Sequence, residues 1–150
     1  MTDYILIQEK NFDRVRKLIK ENQDKTINFS SNDEELNRKI IEKEDINILL
    51  LNQSNRKDKL KQRDSGLNHV LAKITKSKNV AIGINLDEII HSDKKNKAKI
   101  LGRIVQNVRI CKKAKLKMMF FSEKENRNVH DLKALGLVLG MPTNMIKELI

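Results

Sequence analysis

The stretch Asp64–Ile84, D-S-G-L-N-H-V-L-A-K-I-T-K-S-K-N-V-A-I-G-I, decides the fold class, because it sets a helix directly against a strand. Val70, Leu71 and Ile74 recur at helical spacing, with Lys73, Lys76 and Lys78 off that stripe. After Asn79 the pattern changes to the continuous apolar run Val80–Ile84, which suits a strand covered on both faces. The two together read as one αβ unit.

The same alternation extends in both directions. Tyr4–Ile7, Thr26–Phe29, Ile46–Leu51, Val80–Leu86 and Lys117–Phe121 read as strands, rich in Ile, Val, Leu and Phe. Helical patterns lie near Asn11–Asn22, Asp33–Lys43, Ser65–Lys78, Lys94–Lys115, Asn128–Leu139 and Pro142–Leu149. Ser31-Asn32-Asp33-Glu34 matches a capping box and sets a helix start after the second strand. Gly140 reads as a helix stop, with Pro142 near the next helix start. Wholly apolar strands alternating with helices mean a parallel sheet covered by helices. An open doubly wound sheet and a reduced (β/α) barrel both satisfy this pattern. Five strands fall short of a full eight-unit barrel, which takes about 200 residues or more, so length alone favours the open sheet.

With 150 residues, one Pro and no Gly/Ser-rich linker, residues 1–150 read as a single domain with a core of its own. Asn52–Arg63, N-Q-S-N-R-K-D-K-L-K-Q-R, lacks any apolar period and reads as a mobile loop. The single cysteine, Cys111, cannot form an internal disulfide. No signal pattern and no membrane-length apolar run is present, so a cytoplasmic location without membrane attachment is expected.

The net charge of +11 is one-sided. Residues 1–50 carry 9 Lys/Arg against 11 Asp/Glu, and residues 51–150 carry 22 against 9. An excess confined to one half points to a face for an anionic partner. Aromatic residues make up 3% of the chain, so bases have little to stack on, and any RNA contact falls to phosphate and shape. Between Lys94 and Lys117 the stripe Leu101, Ile104, Val105, Val108 and Cys111 is expected to face inward. That leaves Lys95, Lys99, Arg103, Gln106, Asn107, Arg109, Lys112, Lys113 and Lys117 on the rest of the circumference. The only nearby acid is Asp93 at the start, whereas an ordinary solvated helix interleaves Glu for i,i+4 pairs.

Catalytic chemistry finds little support. His69 falls inside a helical pattern, His91 near a helix end and His130 beside Asp131 at a helix start, so no metal-ligand set is expected. The presumed C-terminal strand ends carry Ser30, Ser31, Asn52, Gln53, Asn85, Asp87 and Ser122, a polar rim without a general acid/base pair. Cys111 lies on an apolar stripe, and no Gly-rich loop follows a strand. No catalytic residue is expected on the chain.

The wording G-L-N-H-V-L-A-K followed by V-A-I-G resembles the archaeal ribonuclease P protein component 3 family, the counterpart of the thirty-kilodalton subunit of the eukaryotic enzyme. The resemblance continues in Asn107–Lys117, N-V-R-I-C-K-K-A-K-L-K, in the strand ending F-F-S at Phe120–Ser122, and in Asn126–Met141, N-R-N-V-H-D-L-K-A-L-G-L-V-L-G-M. Arg127 takes the place of a motif arginine of that family, and Asp131-Leu132 that of its second D-L pair. Asn126 stands where the family has leucine and Val129 where it has proline. The best-matched region is 64–145, and residues 1–63 agree only in pattern, as if trimmed.

The resemblance implies an incomplete TIM-like barrel of the polymerase-and-histidinol-phosphatase type. Lost βα units would leave sheet edges that need a cover or partner. It also implies a protein subunit of ribonuclease P, supporting the catalytic RNA that removes the 5′ leader of precursor tRNA. Metal ions are then expected on that RNA and no cofactor on this chain. The implied partners are ribonuclease P RNA, protein component 2 in a heterotetramer, other protein subunits and, indirectly, precursor tRNA. Lys73, Arg103, Arg109, Lys112, Lys113 and Arg127 are the expected phosphate contacts. Asn68, His69 and Asp131 are expected family-specific positions. The alternatives are a metal-dependent phosphoesterase of the related superfamily, or a scaffold that has lost RNA binding.

Overall fold

The computed structural model describes residues 3–58, 60–61, 63–124 and 126–147. Its elements are β1 (Tyr4–Ile7), α1 (Phe12–Glu21), β2 (Thr26–Phe29), α2 (Glu34–Lys43), β3 (Ile48–Leu51), α3 (His69–Ser77), β4 (Ala81–Asn85), α4 (Leu86–His91), α5 (Lys94–Ala114), β5 (Met118–Phe121), α6 (Val129–Val138) and α7 (Thr143–Ile146). The end of the last helical pattern, at Leu149, and positions 59 and 62 of the expected loop lie outside the described residues.

All five strands are parallel and stand in chain order, β1-β2-β3-β4-β5. A doubly wound sheet reverses its order at a switch point, and this sheet has no reversal. Right-handed crossovers between successive strands carry the helices that connect them to the same face. The result is a partial TIM-like barrel, and the open-sheet alternative falls away.

The register explains why the strands read as unbroken apolar runs. Ile7, Phe29, Leu49, Ile82 and Met118 line up across all five strands, each at most 2% exposed. They join Val15, Ile19, Ile40, Leu71, Ile100, Ile104, Val108 and Cys111 of the helices in one core. Burying each large apolar side chain contributes about 1.5–3 kcal/mol. The alternate residues, including Leu6, Asn28, Ile48, Leu50, Ala81 and Gly83, face the concave side, where Ile48, Leu50 and Ala81 are also buried. Two-sided burial removes the period-2 signal that a one-sided sheet would show.

Several local expectations need correction. The cap of α2 is Asp33, which accepts from Glu35 N and Leu36 N, while Ser31 Oγ accepts from Asp33 N one turn earlier. A short acidic side chain next to the first turn outcompetes the more distant serine. Val70 lies 59% exposed rather than on the buried stripe of α3, which consists of Leu71, Ala72 and Thr75 with Ile74 at its margin. The strand pattern through Leu86 also concealed α4. Asn85 ends β4 and caps α4 by accepting from Asp87 N and Glu88 N. The signal was present as Asn followed by two acids in a first turn, but Leu86 prolonged the apolar run. Gly140 does end α6, at φ +98°, a conformation that suits glycine.

Candidate nucleic-acid interface

Helix α5 is capped by Asp93, which accepts from Asn96 N at 2.8 Å, and ends at Lys115 in the left-handed conformation. Its buried side consists of Ile100, Arg103, Ile104, Asn107, Val108, Ile110 and Cys111, with Leu101 and Val105 only half-buried. The expectation that Arg103 and Asn107 lie on the exposed circumference is therefore wrong. They are 4% and 3% exposed. Arg103 donates from Nε to Asp58 Oδ1 at 3.1 Å, from Nη1 to Gln53 O at 3.0 Å and from Nη2 to Arg56 O at 2.9 Å. Asn107 donates to Ser65 O at 3.3 Å. A guanidinium committed to three protein oxygens is not a phosphate contact.

These bonds hold the segment that read as a mobile loop. Arg56 is buried beside Gly66, donates to Asn52 O at 2.6 Å and pairs with Asp64 at 3.7 Å. Burial lowers its pKa, partly offset by Asp64, Glu34 and Glu88. Gln106 donates to Arg63 O at 3.2 Å, and Gln53 donates to Ser65 O at 2.9 Å. The Asp58 carboxyl is held below its ordinary value by the Asp64 N–H and by Arg103.

Lys99, Gln106 and Lys113 recur every seven residues, so they share one flank of α5. That flank faces the 53–66 segment and α3, since α3 packs on α5 and a cleft of about 170 Å³ brings Arg63, Asn68 and His69 beside Gln106 and Ile110. Lys73 follows His69 by one turn on α3, the helix that packs on α5. Lys73, Arg109 and Lys113 are all exposed, so three of the expected phosphate contacts share this surface. Lys112 is exposed too, but it sits about 100° round from Lys113, on the flank of Leu101 and Val105. Arg127 and Asp131 are exposed at the start of α6, which follows β5, and neither lines the α3–α5 cleft. Asn68 is the α3 cap, accepting from Leu71 N at 2.8 Å, and His69 opens the helix exposed. Sequence reasoning placed Gln106 on the outward circumference of α5 and Arg63 at the end of the loop, but missed their contact because nothing local connects them.

The polar rim lies at the C-terminal strand ends, as expected, and its side chains bind one another. Asn52 donates to Ser30 Oγ at 3.0 Å, and Asn85 donates to Asn52 Oδ1 at 2.8 Å. Glu88 accepts from Gln53 N and Ser54 N, and Asp87 from Ser122 Oγ, Glu123 N and Lys124 N. Among the described residues no three His, Cys, Asp or Glu side chains gather in a group able to hold a metal ion, and no helix is long and apolar enough to cross a membrane.

Comparison with known proteins follows the same outline. The chain is 28% identical over 138 residues to ribonuclease P protein component 3 of Methanococcus maripaludis strain C6, covering 91% of this chain and 56% of the relative. It is 30% identical over 103 residues to the protein of the same name from Methanocaldococcus jannaschii, covering 66% of this chain and 42% of the relative. The chain thus spans about half the length of the curated relatives it matches. A chain in the cryo-EM structure of archaeal ribonuclease P with mature tRNA superposes with a TM-score of 0.79 at 24% identity, over 98% of this chain and 63% of that one. That likeness confirms the fold. The family model for RNase P subunit p30 matches residues 7–150, from the last residue of β1 onward, so the chain belongs to the RNase P subunit p30 family.

Proposed function

We propose that this chain serves as a protein subunit of ribonuclease P and binds its RNA through the α3–α5 surface. The observation that carries this reading is electrostatic. Two packed helices of 9 and 21 residues contain no acidic side chain, while Lys73, Arg109 and Lys113 project from them. A surface with this excess of cations attracts phosphate and releases counterions on binding, with Glu34 and Asp64 the acids that line the neighbouring cleft. Among the described residues Tyr4 is the only aromatic of the exposed large hydrophobic side chains and lies on the sheet, so recognition would rest on backbone and shape rather than stacking.

In this reading the chemistry of 5′ leader removal, and its metal ions, belong to the RNA subunit. The chain stabilises the RNA's folded form and meets precursor tRNA only indirectly. Protein component 2 and other subunits are the protein partners. The β5 edge has a single strand neighbour among the described residues, and Leu137 and Val138 of α6 are 59% and 82% exposed. Each offers an apolar or unpaired surface for such a subunit.

The test is binding to a transcribed archaeal ribonuclease P RNA across a KCl series. Arg109→Gln with Lys113→Gln should weaken binding and reduce the slope of log K against log salt by about two. An unchanged slope removes this surface from the RNA interface.

A further inference from the structure

The 53–66 segment is held in place without a hydrophobic anchor of its own. Leu60, the one large apolar residue in it, is fully exposed at 106%. Its acids are engaged within the protein instead. Asp58 Oδ1 accepts from Arg103 Nε and from Asp64 N at 3.0 Å, and Asp64 Oδ1 accepts from Gly66 N at 3.2 Å and pairs with Arg56. Of its described cations, Arg56 is held inside and Lys57, Lys61 and Arg63 are left exposed. The Arg63 guanidinium lies on Gly102 of α5, where a Cβ would come within 3.1 Å of Cζ. Arg63 also lines the cleft shared by Asn68, His69 and Gln106, together with the acids Glu34 and Asp64.

One turn from Arg103 on the buried side of α5 stand Ile100, which is apolar, and Asn107, which donates to Ser65 O. A buried guanidinium is costly unless its donors are satisfied, and here three of its nitrogens reach oxygens 45 to 50 residues away in the chain. We infer that Arg103 is a positioning residue that latches the 53–66 segment onto α5, so that Arg63 forms an additional phosphate-binding wall of the α3–α5 groove. This rests on the RNA-binding reading above and adds to it a residue and a device. Lysine could not replace Arg103, because one ammonium cannot span a carboxylate and two carbonyls in the planar fork these oxygens require.

The test measures the salt dependence of binding to a labelled RNA duplex of two helical turns, beside trypsin cleavage of the segment. Arg63→Gln should lower the slope by about one. Arg103→Lys should lower it equally and open Lys57 and Lys61 to trypsin, with the helical circular dichroism retained. If Arg103→Lys does not fold, Gly102→Val replaces it, since the added side chain displaces Arg63 from outside the core. The inference is overturned if Arg63→Gln binds with the wild-type slope. It is equally overturned if Arg103→Lys, or Gly102→Val in its place, leaves the slope unchanged. Arg109→Gln with Lys113→Gln separates the two ideas. A lowered slope for that pair and none for Arg63→Gln sinks the latch alone, whereas no change in either sinks the RNA reading as well.

Discussion

The Tyr4 ring stands edge-on to the Phe121 ring, with centroids 5.4 Å apart and planes at 86°, although β1 and β5 are opposite ends of the sheet. In a flat parallel sheet four strand spacings would separate them by about 19 Å. The rings meet because the sheet curls, as in a barrel whose inner layers draw side chains from alternate strands. Tyr4→Ala and Phe121→Ala should each destabilise the protein by about 1–2 kcal/mol, with a coupling of about 1 kcal/mol. Urea unfolding of the single and double variants measures this, and strictly additive losses would show that the contact does not support the curl.

Gly83 faces the same concave side. A Cβ there would lie 3.0 Å from both Ile48 Cγ2 and Leu50 Cδ1 and 3.3 Å from Leu50 Cα. Gly83→Ala should therefore cost about 1–3 kcal/mol, reversing the gain that Gly→Ala usually brings in a strand. A raised thermal midpoint would contradict this packing.

Asp87 joins α4 to the end of β5. Burial pushes its carboxyl upward, but Ser122 Oγ at 2.6 Å, the N–H groups of Glu123 and Lys124, and His91 outweigh that and hold it below its ordinary 3.8. A depressed carboxylate pKa stabilises the fold above the unfolded value, and the gain is lost as pH falls through the folded one. Asp87→Asn should cost about 1–2 kcal/mol at neutral pH, a modest figure because the site is partly solvent-screened. Urea midpoints of both proteins should converge below about pH 4. A gap that stays constant with pH would assign the loss to shape rather than charge.

Cys111 is fully buried, and burial pushes its thiol from 9.0 up to about 12. An inaccessible thiol is inert, so an aromatic disulfide reagent at mildly alkaline pH should label it only in urea. The raised pKa leaves stability untouched below the unfolded value and erodes it as pH rises from about 9 toward 12. Rapid labelling of native protein would place the residue outside the core.

Much of the fold was legible because its signals are local. Helix caps at Asn11 and Asn128 act within three residues of themselves, and the apolar runs of β1 and β2 were recognisable at their observed bounds, whereas the helix expected from Ser65 starts only after its Asn68 cap. Leu86 shows where local reading fails, since an apolar residue fits a strand's end and a buried first turn equally well. For the candidate interface, the chain alone showed that α3 and α5 lack acids, and so which surface is positive.

Which cations stand on that surface was settled only by tertiary contacts. Periodicity assigns a polar residue to solvent, and Arg103 and Asn107 defy it because their acceptors arrive from a segment more than forty residues earlier. The meeting of Tyr4 with Phe121 was hidden for the same reason. Composition and spacing determine hydrogen-bonding needs and apolar faces along the chain, whereas sheet curvature and distant acceptors decide how those needs are met.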